Sequence, residues 1–100
     1  MIKHIILWTL DEKFSGEEKT EIMANAKREL EGLLGKVPGL TEITLQTEKL
    51  SSSNADMMLN STLESEAALK GYQVHPEHVR VANNFVRPFT SQRLCIDFEI

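Results

Sequence analysis

The hydrophobic pattern begins with a strand. Residues 2–10, IKHIILWTL, are rich in β-branched and aromatic side chains and too short for a helix. Their two parities are His4, Ile6, Trp8, Leu10 and Lys3, Ile5, Leu7, Thr9. Both carry large apolar groups, which predicts a strand covered on both faces. Ser15-Gly16-Glu17-Glu18 then has the form of a capping box, with Ser15 and Glu18 satisfying each other's amides. The helix it opens carries Ile22, Met23, Ala26, Leu30, Leu33 and Leu34 as an apolar stripe. Gly35 suits the position just past its end, and Pro38-Gly39 bars continuation.

Residues 41–48 alternate, with Ile43 and Leu45 on one face, and 56–63 form a third strand. The polar run Ser51-Ser52-Ser53-Asn54 between them predicts an antiparallel connection. Ser65 caps a short helix bearing Ala68, Leu69 and Tyr72. Pro76 opens another, with His78, Val79, Ala82, Phe85 and Val86 on one face, and Pro88 closes it. Residues 92–99 alternate again, with Leu94, Ile96 and Phe98 together.

The order β-α-β-β-α-β predicts one α+β domain over residues 1–100 with the ferredoxin-like arrangement: a four-stranded antiparallel sheet with helices on one face. Ile5, Leu7 and Ile96 cannot all face those helices. An apolar sheet face left open marks an interaction surface, and a second copy related by a two-fold axis is the simplest partner. The expected homodimer interface is the face carrying Ile5 and Leu7.

Composition narrows the function. The chain is 41% hydrophobic and 26% charged, with a net charge of −4. Its pI is near 5.3. This acidic balance argues against nucleic acid, which needs a concentrated basic surface. No basic amphipathic stretch seeks a membrane, and no export signal is visible, so a cytoplasmic location is expected. The single Cys95 permits no internal disulfide and, as a lone thiol on a strand, reads as an inert small hydrophobe. The five glycines show no phosphate-cradling spacing, and no cofactor is expected.

Candidate chemistry sits around Tyr72 and His78. Two positions past Pro76, His78 points inward, where burial and the helix N-terminus disfavour the imidazolium. A neutral imidazole is what a general base needs at pH 7. Tyr72, ending the preceding helix, can donate to a developing enolate oxygen. The competing reading makes Tyr72 and His78 a structural pair, hydrogen-bonded to each other at the helix junction. His75 reads as structural, its ring near the first free amides of the helix that follows. His4 shares its face with Ile6 and Trp8 and is either a satisfied core residue or a ligand contact. No metal is expected. Pro76 separates the directions of His75 and His78, and no Cys or carboxylate completes a tight motif.

IKHIILW at the start, Pro38-Gly39-Leu40, the run Tyr72-Gln73-Val74-His75-Pro76-Glu77-His78-Val79, and Ile96-Asp97-Phe98 together resemble the stress-responsive dimeric α/β-barrel (Dabb) family. The resemblance runs nearly end to end, and Tyr-x-x-His-Pro-x-His is its most specific part. It implies a homodimer whose two sheets pack face to face into a barrel. Most bacterial relatives have no assigned activity, whereas a plant member is a polyketide cyclase that uses the Tyr and second His of this run. Carried over, these are Tyr72 and His78, with His4 facing the same cavity between sheet and helices. The implied walls are Ile6, Trp8, Met23, Leu59 and Phe85. Ser61 departs from the cyclase pattern, Ala26 offers less bulk, and the last strand sends Cys95 and Arg93 toward the cavity. A fold does not transfer chemistry.

Two functions follow. One is a cofactor-free cyclase, isomerase or lyase, or a binder, acting on a small apolar carbonyl compound. It would use His78 as base and Tyr72 as acid or oxyanion donor, with His4, Ile6, Trp8, Met23, Leu59, Ser61 and Phe85 around the ligand. The other is a non-catalytic homodimeric stress-response module with a structural His-Tyr cluster.

Overall fold

The computed structural model describes residues 1–100. Strand β1 spans Ile2–Leu10, helix α1 Glu17–Glu31, β2 Leu40–Gln46, β3 Met57–Leu63, α2 Glu66–Val74, α3 Pro76–Val81 and β4 Thr90–Glu99. A π-helical turn, Ala82–Val86, and a 3₁₀ turn, Arg87–Phe89, join α3 to β4. The sheet is antiparallel in the order β2-β3-β1-β4. This is the ferredoxin-like fold that the element order predicts.

Side-chain alternation divides the two faces of β1. His4, Ile6, Trp8 and Leu10 are buried toward the helices, and Leu7 on the other face is 38% exposed. The buried set meets Ile43, Leu45, Met57, Leu59 and Leu63 from β2 and β3, and Ile22, Ala26, Leu30 and Leu33 from the α1 side, in one core. The helices do not extend over β4, whose residues past Thr90 are exposed on both faces. Leu94, Ile96 and Phe98, at 58%, 61% and 45% exposure, continue the open apolar face begun by Ile5 and Leu7.

Three local expectations are corrected. The capping box does not form: Gly16 takes the N-cap position of α1 at φ 56°, leaving Ser15 outside it, with no side-chain cap bond. Only the Ser15 carbonyl engages, accepting from the Glu18 amide at 3.2 Å. The helix also ends earlier than its apolar stripe, at Glu31. Leu33 is buried from the following turn, while Leu34 is exposed. After Pro76, the buried set is Val81, Ala82 and Val86, with Val79 and Phe85 only half-buried. The π turn adds a residue per turn and so rotates the apolar positions out of a single α-helical stripe.

The other junctions follow the sequence. Ser65 Oγ accepts from the Ala68 amide at 3.1 Å, and His75 Nδ1 accepts from the Glu77 amide at 3.1 Å. Gly39, at φ 82°, lets the chain pass α2 closely; a Cβ there would stand 2.6 Å from the Ala68 Cβ.

Candidate functional site

Between the helices and the sheet lies a cavity of about 80 Å³. Its sheet wall is Ile6, Trp8 and Leu59, and its helical wall includes Leu30, Tyr72 and His78. Arg87 and Arg93 also line it, from the 3₁₀ turn and from β4.

Tyr72 is fully buried because α2 packs against the sheet at that position. Its hydroxyl has no hydrogen-bond partner. Burial raises its pKa far above the usual phenol range, with Arg93 opposing the shift, so Tyr72 is a neutral donor at physiological pH. An unpaired buried hydroxyl is uncommon, and each one calls for an explanation.

His78 packs its ring against Tyr72 at 4.3 Å between centroids and a 43° tilt. This is a ring contact, and the hydrogen bond between them expected of a structural pair is absent. His78 Nδ1 lies 3.2 Å from the Gln73 carbonyl oxygen. A carbonyl only accepts, so Nδ1 carries the hydrogen and Nε2 holds the free lone pair. Burial lowers the His78 pKa below 6.5, and the Arg87, His4 and Arg93 charges push the same way against the Gln73 bond. The imidazole is therefore neutral near pH 7.

His4 is turned elsewhere. Strand register places it opposite Ser61 on one side and Asp97 on the other. Its Nδ1 pairs with the Asp97 carboxylate, and its backbone carbonyl accepts from Ser61 Oγ at 2.9 Å. The His4 ring meets Tyr72 edge-on at 5.9 Å. It thus supports the back of the tyrosine without lining the cavity. Cys95 Sγ lies 3.7 Å from His4 Nδ1 and 3.5 Å from Asp97 Oδ1. These three potential metal ligands fall within 4.8 Å of one another. The absence of any tight linear motif hid this grouping, because register alone assembles it. Cys95 is exposed rather than buried as a small hydrophobe. Partial desolvation of its sulfur and the neighbouring Asp97 carboxylate raise the thiol pKa, which keeps it protonated.

Ile6, Trp8 and Leu59 thus join Tyr72 and His78 around the cavity, while His4, Met23, Ser61 and Phe85 do not line it. Met23 packs half-buried against the core. The π turn directs Phe85 to a separate surface groove beside Phe14 and Phe89. Arg87 was not foreseen as a cavity residue, since a charged residue before Pro88 reads as an ordinary helix end.

A family model described as Stress responsive A/B Barrel Domain matches residues 2–100. No curated protein matches the chain significantly. Among solved structures, it is similar to a dimeric protein of unknown function and ferredoxin-like fold from Bacteroides fragilis NCTC 9343. That match has 27% identity and a TM-score of 0.92, covering 99% of this chain and 95% of that one. A dimeric ferredoxin-like protein of unknown function from Thermobifida fusca matches at 23% identity and TM-score 0.80, over 99% and 90%. The hydroxynitrile lyase of Passiflora edulis matches at 18% identity and TM-score 0.71, over 99% and 92%. The last two likenesses are of fold alone.

Proposed function

This chain belongs to the stress-responsive A/B barrel domain family, and we propose that it is a homodimer that moves a proton beside the carbonyl of a small ligand. His78 Nε2 is the general base, and the Tyr72 hydroxyl donates to the carbonyl oxygen. The observation that carries this reading is the Tyr72 hydroxyl, buried, neutral and without a partner beside a neutral imidazole. In the step, a C–H bond next to the carbonyl breaks. Its proton passes to His78 and its electron pair moves into the carbonyl, whose oxygen becomes an enolate held by Tyr72. Return of the proton from His78 to a different carbon of the enolate completes an isomerisation. Attack of the enolate carbon on a second carbonyl of the same ligand, with His78 giving the proton to the alkoxide so formed, makes an aldol cyclisation. No cofactor is needed. The Passiflora edulis protein is a hydroxynitrile lyase, so this scaffold can carry an enzyme. The dimer reading rests on the open apolar face of β1 and β4 and on neighbours described as dimeric.

A second reading, a non-catalytic dimeric module, draws on the cavity's size. At about 80 Å³ it is well below the roughly 300–1,000 Å³ of drug-sized ligand sites. Proton exchange separates the two. The protein is incubated with acetone, pyruvate or acetoacetate in deuterated water, and loss of the proton signal next to the carbonyl is followed by NMR. Acceleration by the wild type, reduced about a hundredfold in His78→Gln, is expected of a general base. If the folded wild type accelerates exchange in none of the three, the catalytic reading fails and the module reading stands.

A further inference from the structure

The chain has four arginines. Two are held by carboxylates: Arg28 by Glu29 at 3.2 Å, and Arg80 by Glu77 at 2.9 Å and Glu29 at 3.3 Å. The other two, Arg87 and Arg93, make no ion pair, and both line the cavity beside Tyr72 and His78. Both are exposed to solvent, so their guanidinium groups stand at the mouth of the cavity and not in its interior. The two come from separate elements. Arg87 sits in the 3₁₀ turn, where its Nη1 donates to Asn83 Oδ1 at 2.6 Å, and Arg93 stands on β4 opposite Trp8. A buried hydroxyl without a partner therefore lies in a small, mostly apolar cavity whose exposed edge carries two guanidinium groups that no carboxylate holds.

We propose that Arg87 and Arg93 are the anion-recognising edge of this cavity and that its ligand is a short oxo-carboxylate. The proposal rests on the carbonyl reading above and names its substrate class. The carboxylate meets the guanidinium groups, whose planar forks match it. The carbonyl reaches inward to accept from Tyr72. Size agrees with a short molecule. About 80 Å³ holds roughly two to three groups of water size, at ~30 Å³ each, leaving the carboxylate at the arginine side. Charge agrees as well. An enolate of an oxo-acid carries two negative charges, and two guanidinium groups offset them where Ile6, Trp8 and Leu59 keep the surroundings apolar.

Titration calorimetry on the whole chain tests this with pyruvate, acetoacetate, methyl pyruvate and inorganic phosphate. Both oxo-acids are expected to bind, and methyl pyruvate at least tenfold more weakly. Arg93→Gln and Arg87→Gln should each weaken pyruvate about tenfold or more, as loss of a charge-assisted bond does. Each substitution should weaken methyl pyruvate less than it weakens pyruvate, and Arg28→Gln, outside the cavity, should leave pyruvate binding at the wild-type value. Methyl pyruvate binding as tightly as pyruvate, or no effect of either arginine substitution, overturns the oxo-carboxylate and leaves the carbonyl site standing. Phosphate binding more tightly than pyruvate also overturns it, marking a phosphate site instead. Failure of all four to bind overturns this proposal, and the carbonyl reading then falls as well only if proton exchange on acetone is not accelerated either.

Discussion

Substitution of Tyr72 by Phe separates a tyrosine kept for a ligand from one kept for the fold, because the two predict opposite signs. The side chain is fully buried and its hydroxyl has no partner. Leaving such a group unsatisfied costs about 1–3 kcal/mol. Phe retains the ring and with it the contacts to His78 at 4.3 Å and His4 at 5.9 Å, so no cavity is created. The expected outcome is a protein more stable by about 1 kcal/mol, or ~4–8 °C in Tm for a domain of this size. The assay is urea unfolding at one fixed protein concentration, since an oligomer's apparent stability depends on it. Proton exchange on the oxo-acids should fall in the same variant. A stability–activity trade-off of this kind is characteristic of functional sites. A loss of ~1 kcal/mol or more in Tyr72→Phe would refute the reasoning, because it means that the hydroxyl makes a stabilising bond.

The His78 pKa is lowered in the folded protein, first by burial. Between that lowered value and 6.5 the unfolded chain binds more protons than the folded one. Stability therefore falls as pH drops through 6.5 toward the folded value, and His78→Gln should remove that part of the slope in urea midpoints measured from pH 7.5 to 5. An unchanged slope would mean that His78 is not the group responsible. On the open sheet face, Ile96→Asp places a charge among Leu7, Leu94 and Phe98 and should give an 11.3 kDa species by sedimentation equilibrium at micromolar concentration. A dimer that survives it would place the interface elsewhere.

Much of this protein is written locally. The parities of 2–10 and 92–99, Ser65 as a cap, Pro76 at a helix start and the turn at Gly39 each act over a few residues, so the pattern of residue types determines them. The inward placement of Tyr72 and His78 follows from the same periodicity. What the chain order could not reveal depends on long-range register and exact helical rotation. Opposition of His4 to Asp97 and Ser61 arises only when three strands pair, turning a possible ligand contact into a support behind Tyr72. A single π turn moves Phe85 away from the cavity and places Val86 and Arg87 on it. Whether a buried hydroxyl has a partner is settled by atoms tens of residues away. Sequence alone therefore determined which elements form and which faces are apolar. The tertiary structure decided which polar groups are satisfied, and the one buried phenol left without a partner marks the cavity, with two exposed guanidinium groups at its edge.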